Sequence, residues 1–172
     1  YVDFGAESAI PLIGKYHNLL VVQTCSKSRS LAGMRIGFAF GCPDLIAALN
    51  TVKNSVNSYT LDRMALAAAQ AAVEDRVYMD DTCSRVSNTR EITVGKLKNM
   101  GFTVLPSKAN FVFASHPGVP GQELFRQLRE RGVLVRYFNK PRIHEFLRIT
   151  IGTPEEMDAL TGALEEILGG YK

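Results

Sequence analysis

The residues best suited to chemistry lie together in the run Thr24-Cys25-Ser26-Lys27-Ser28-Arg29-Ser30-Leu31-Ala32-Gly33-Met34-Arg35. Hydroxyls at Thr24, Ser26 and Ser28 with the guanidinium of Arg35 make a donor set that can grip a phosphate, and Gly33 lets the backbone come close. Lys27 stands beside that anion site. A lysine next to a bound phosphate and partly removed from water can lose its proton and attack an aldehyde, which is what a Schiff base requires. The competing reading is a solvated Ser/Lys/Arg loop with no site. A second candidate is Arg148 in Phe146-Leu147-Arg148-Ile149-Thr150-Ile151. On a strand, Leu147, Ile149 and Ile151 share one face, which packs, and Arg148 shares the other with Phe146 and Thr150. Its planar fork suits two-point contact with a carboxylate or phosphate, and a surface salt bridge is the bland alternative.

Several elements must position these groups. Leu19-Leu20-Val21-Val22 is short and apolar on both parities, as a buried parallel strand is, and 34–40 resumes a strand pattern. The Lys27 loop is thus expected between two buried strands, where α/β proteins place ligands. Pro43 opens a helix that runs into the polar stretch 54–58, the expected domain boundary. An Ala-rich helix over 61–74, apolar nearly all round, should pack on several sides, and a more polar one over 77–100 stops at Gly101. The remainder reads as α+β, with strands at 102–105, 110–114, 133–137 and 146–151 and a helix over 120–131. Phe111 and Phe113 share a face and are expected in the core, with Asn110 tying backbone at the strand start. Thr153 and Glu156 form a capping box around Pro154 that starts a last helix ending near Gly169.

The 172 residues carry 46% hydrophobic and 22% charged side chains, a globular average that excludes disordered and fibrous classes. Twenty Lys and Arg against 17 Asp and Glu leave +3, too mild to announce a nucleic-acid partner. No apolar run is long enough to span a membrane, no leader pattern opens the chain, and a cytoplasmic location is expected. Cys25, Cys42 and Cys83 are too scattered for a disulfide framework or a metal pair and read as reduced thiols, with Cys25 a small buried filler. His17, His116 and His144 lack metal-ligand spacing.

Ser26-Lys27 followed by Leu31-Ala32-Gly33-Met34-Arg35-Ile36-Gly37 resembles the lysine motif of pyridoxal-phosphate enzymes of the class I/II aminotransferase family, and the run from Val22 to Gly33 is similar to that of its histidinol-phosphate branch. Tyr1-Val2-Asp3-Phe4 resembles the tail of the family's Asp-Glu-Ala-Tyr segment. The stretch from Phe146 to Thr153 resembles its carboxyl-terminal arginine motif. This resemblance implies a fold type I, aspartate aminotransferase-like α/β architecture, with 1–58 a piece of the large, cofactor-binding domain and 59–172 the small domain. It implies that Lys27 forms the Schiff base with pyridoxal 5'-phosphate and moves the proton, that Ser26, Arg35 and Thr24 hold the cofactor phosphate, and that Tyr1 hydrogen-bonds the ring's phenolic oxygen. Arg148 and Arg136 are the implied substrate arginines, Arg136 being also readable as an exposed edge residue. The implied partners are an amino donor, a 2-oxo acid acceptor and a second copy of the chain in a homodimer. The chain is expected to be the carboxyl-terminal portion of a longer enzyme. A non-catalytic binding or assembly fragment, an aromatic aminotransferase and a phosphothreonine decarboxylase remain alternatives.

Overall fold

The computed structural model describes residues 1–171 and divides into two compact units, Tyr1–Cys83 and a second from Ser84 onward. In the first unit, β1 (Val21–Thr24) and β2 (Gly37–Phe40) pair antiparallel, from Val21 opposite Phe40 to Thr24 opposite Gly37. The expected buried parallel strands are therefore corrected. The Cys25 N–H donates to the Ile36 carbonyl at 3.1 Å and the Leu31 N–H to the Cys25 carbonyl at 3.0 Å, so the loop closes on itself and returns the chain beside β1. A parallel partner would need a crossover leading the chain back to the same end. Only one parity of β1 is covered: Val21 and Gln23 are half-buried, whereas Val22 is 71% exposed.

Helix α1 (Pro43–Val56) begins with proline at its first position, where no N–H is needed, and has Asp44 in its first turn and Lys53 in its last, both favourable to the helix dipole. Helix α2 (Arg63–Glu74) is capped by Asp62, whose carboxylate accepts the Ala65 N–H at 2.7 Å. Its Ala65 and Ala69 pack on Cys25 and Ile36 to form this unit's buried cluster, which explains why α2 keeps company with the lysine loop. The all-round packing expected of α2 is not what this unit provides. Met64 and Leu66 are 74% and 53% exposed, so a single stripe of small residues is buried. Helix α3 (Arg76–Asn99) carries the division between the units, which falls after the polar stretch 54–58 that closes α1. It ends in a Schellman turn, with Gly101 at φ +89° and the Phe102 N–H on the Leu97 carbonyl at 3.0 Å.

The second unit is a four-stranded antiparallel sheet in the order β3 (Thr103–Val104), β4 (Phe111–Ser115), β6 (Leu147–Thr150), β5 (Arg136–Tyr137). One face carries Val112, Ala114, Leu147 and Ile149 into a core completed by Leu124 and Leu128 of α4 (Gly121–Glu130) and Leu160, Leu164 and Ile167 of α5 (Pro154–Gly169). Each fully buried leucine contributes about 2 kcal/mol of apolar transfer. The capping box at Thr153 and Glu156 is formed as expected. Phe111 and Phe113 do share a face, but it is the other one, and they are only half-buried. Both parities of β4 are apolar, so alternation defined the two faces without saying which meets the helices.

Candidate active site

The lysine loop is a chain of turns between β1 and β2. The Thr24 hydroxyl donates to Ser26 Oγ at 2.7 Å and accepts the Ser26 N–H at 3.1 Å, which gathers both side chains at the end of β1. Lys27 follows with its side chain exposed. The partial desolvation expected of it is not supplied by this chain's residues. Ser30 and Arg35 both adopt left-handed backbone, at φ 55° and 56°, and bracket a 3-10 turn over Ala32–Met34. Non-glycine residues held there cost roughly 1 kcal/mol or more each and mark positions where the fold has aimed a side chain at some expense. The Arg35 guanidinium donates to the Ala32 carbonyl at 2.8 Å, bracing the turn that carries it.

Ser28 does not join the anion site. It is 8% exposed and donates to Asp3 Oδ2, the same oxygen that accepts Gln23 Nε2 at 2.9 Å. Asp3 thereby ties the segment that carries Tyr1 to β1 and to the lysine loop. The role of Asp3 is not legible in the sequence, because its partners lie twenty and twenty-five positions away and nothing local announces them. Arg29 is a structural brace: its Nη1 donates to the Ala72 carbonyl at 2.6 Å, in the last turn of α2, where a cation also favours the dipole. Cys25 is fully buried, and burial pushes its thiol up, with Asp3 adding to the rise and Arg29 opposing it. It is the inert filler expected.

Taken by itself, the second unit presents a different half-site on the sheet face opposite its core. Arg148 of β6 lies between Phe113 of β4 and Arg136 of β5 in the cross-strand register. Its guanidinium stands 5.5 Å from the Phe111 ring and 5.8 Å from the Phe138 ring, and that of Arg136 stands 5.3 Å from Phe138. Arg148 Nε is buried and has no hydrogen-bond partner. A buried guanidinium N–H without an acceptor is costly, and two like charges directly opposite each other add to that cost. Both are relieved by an anion. Arg90, another residue sequence reasoning missed, is 2% exposed and donates to the Ala109 carbonyl at 2.9 Å, pinning the start of β4 and with it Phe111. A lone arginine amid polar helix residues gave no sign of burial. Asn110 serves β4 through its backbone, its carbonyl accepting the Ile151 N–H at 2.9 Å.

Hydroxyls, a guanidinium and an accessible primary amine in one loop suit a ligand bearing a phosphate and an aldehyde, and the paired arginines suit an anionic substrate group. The chain belongs to the aminotransferase class I and II family, which matches residues 1–164. It is similar to the histidinol-phosphate aminotransferase of Pseudomonas putida, 60% identical over 164 residues that make up 95% of this chain and 47% of that protein. The histidinol-phosphate aminotransferase of Acinetobacter baumannii (strain ATCC 17978) is 58% identical over 166 residues, 96% of this chain and 46% of that one. The crystal structure of histidinol-phosphate aminotransferase from Sinorhizobium meliloti in complex with pyridoxal-5'-phosphate is similar in fold, with a TM-score of 0.85 and 26% identity over 100% of this chain and 48% of its own. The fold is that of pyridoxal-phosphate-dependent transferases of fold type I, as the lysine motif implied. The chain spans about half the length of the curated relatives it matches.

Proposed function

We propose that the protein to which this chain belongs transfers an amino group from histidinol phosphate to 2-oxoglutarate, in histidine biosynthesis, with pyridoxal 5'-phosphate bound at Lys27. The observation that carries the reading is the lysine loop, in which an exposed amine follows two hydroxyls and precedes a guanidinium held at a left-handed turn. Identity near 60% to relatives named for that activity supports it. When bound, pyridoxal phosphate supplies an electron sink for the donor carbon.

The protein's own residues bind, orient and move protons. Ser26 and Arg35, helped by Thr24, would hold the phosphate through charge-assisted hydrogen bonds. Tyr1 would donate a hydrogen bond from its hydroxyl to the phenolic oxygen of the ring. Lys27 Nζ would be the amine that holds the cofactor and, once freed, the base for the proton of the donor carbon, two roles on one side chain. Arg148 and Arg136 would hold the anionic groups of donor and acceptor, and the lack of a carboxylate partner among the described residues leaves them ready for an incoming anion. Residues 1–58 are assigned to the cofactor-binding domain and 59–172 to the small domain, although α2, within the latter range, packs with the lysine loop in the first compact unit. The complete enzyme is a cytoplasmic homodimer. No described helix is long and apolar enough to cross a membrane.

Adding pyridoxal phosphate, reducing with borohydride and mapping the adduct by mass spectrometry should place it on Lys27, with a Lys27→Ala variant unlabelled. Equal labelling of that variant would sink the cofactor assignment. Turnover of histidinol phosphate against phenylalanine by the whole enzyme then decides the donor, and a preference for phenylalanine would move the protein to the aromatic branch.

A further inference from the structure

The arginine face poses a problem that its role as an anion site does not solve. Arg136 and Arg148 stand directly opposite each other, and neither has a carboxylate partner among the described residues. Two mobile guanidiniums under mutual repulsion would swing apart into water. What they share is Phe138, two residues beyond Arg136 and therefore on the same side of an extended chain, half-buried, with its ring 5.3 Å from one guanidinium carbon and 5.8 Å from the other. A ring quadrupole attracts both cations at such distances, and it costs them no hydrogen-bond donor.

Phe111, 5.5 Å from the Arg148 guanidinium carbon, belongs instead to a strand start pinned by Arg90. Phe138 lies just past β5, and the loop that follows is docked elsewhere: Glu145 Oε2 accepts the Gly121 N–H at 3.3 Å at the start of α4. Phe138 therefore lies between β5 and a loop that is itself docked on α4.

We propose that Phe138 is a positioning residue that holds Arg136 and Arg148 together as a two-cation clamp, matched to a doubly charged phosphate rather than to a single carboxylate. The clamp thereby favours a phosphorylated donor over an unphosphorylated one. This inference rests on the reading of the two arginines as the substrate anion site, and it adds the residue that makes them act as a pair.

The test uses the whole enzyme loaded with its cofactor. In Phe138→Leu, KM for histidinol phosphate and the competitive inhibition constant of inorganic phosphate should both rise about tenfold while kcat stays within about twofold, the loss expected of a cation–π contact worth roughly 1.4 kcal/mol. Phe138→Tyr, which keeps the ring, should restore both constants. Unchanged constants in Phe138→Leu, an equal loss in Phe138→Tyr, or a fall in kcat with KM untouched would each overturn the proposal. Should Phe138→Leu fail to show a cooperative melt, the unaltered protein still decides. Phosphate, and not chloride at equal ionic strength, should shift the Phe138 ring protons and the Arg148 Nε–H together by NMR, and the absence of that joint shift overturns the proposal. Arg148→Lys and Arg136→Lys separate the two levels. If they leave KM for histidinol phosphate unchanged, the anion site itself is misassigned; if they raise it while Phe138→Leu does not, only the role of Phe138 fails.

Discussion

Residue by residue, position in the fold separates side chains that look alike in sequence. Ser26 and Ser28 flank Lys27 symmetrically, yet one sits half-buried beside Thr24 while the other is committed to Asp3. Arg29 and Arg35 differ likewise, the first capping α2 and the second held on a left-handed turn. The cysteines separate in the same way. Burial raises the thiols of Cys25 and Cys83, so at neutral pH their thiolate fraction lies below that of an ordinary thiol, and the buried sulfurs are also shielded. Iodoacetamide under native conditions should therefore alkylate Cys42 first, with Cys25 and Cys83 labelling only after denaturation. Early native labelling of Cys25, followed by peptide mass spectrometry, would contradict its place in the core.

Among the elements, sequence pattern was most informative where local chemistry decides the outcome. Pro43, the Thr153/Glu156 box and Gly101 all mark helix ends where the structure has them, because caps are built from neighbours in the chain. It was least informative where the decision is tertiary. Phe111 and Phe113 looked like core because large apolar residues usually are, but the helices cover Val112 and Ala114, and the aromatic face was left to carry the arginines. The antiparallel pairing of β1 with β2 is a tertiary outcome of the same kind, since apolar residues on both parities say nothing about strand direction. Helix α4 offers a test at this scale. Hydrogen bonds from Arg126 above all, then Gln127, lower the Glu123 carboxyl from the ordinary 4.5 to about 2. A depressed acid stabilises the folded state fully above its unfolded value, and that contribution fades as pH falls from about 4.5 towards about 2. Following Glu123 by NMR should find its midpoint near 2, and Arg126→Ala should return it towards 4.5. A midpoint already near 4.5 in the unaltered protein would show the α4 network absent in solution.

For the molecule as a whole, the two units are unequally furnished. The second buries a continuous core of leucines, isoleucines and Phe102 between its sheet and helices, whereas the first has a buried cluster of Cys25, Ile36, Ala65 and Ala69, with Phe4 and Cys83 buried outside it. A cluster of side chains that small removes less apolar surface from water. Native-state hydrogen exchange should accordingly find the amides of β4 and β6 slowest, opening only with global unfolding, and those of β1 and β2 faster by local opening. Equal protection in the two sheets would refute this ordering. The candidate chemistry is split along the same line, the amine in the lightly packed unit and the paired arginines in the heavily packed one. The motifs that reveal both halves are short and contiguous, which is why they were legible in sequence, whereas Asp3, Arg90 and Phe138 act through partners that only folding supplies.

Position 35 carries a consequence for how this protein can change. Its backbone lies in a region that glycine enters freely, so a glycine there would relieve strain and raise stability, and the same exchange would remove the guanidinium that the proposed phosphate grip needs. Selection for a sturdier fold and selection for cofactor retention thus pull that one codon in opposite directions. A lineage released from catalysis would be free to drift towards glycine, and one that keeps its chemistry must go on tolerating the strain.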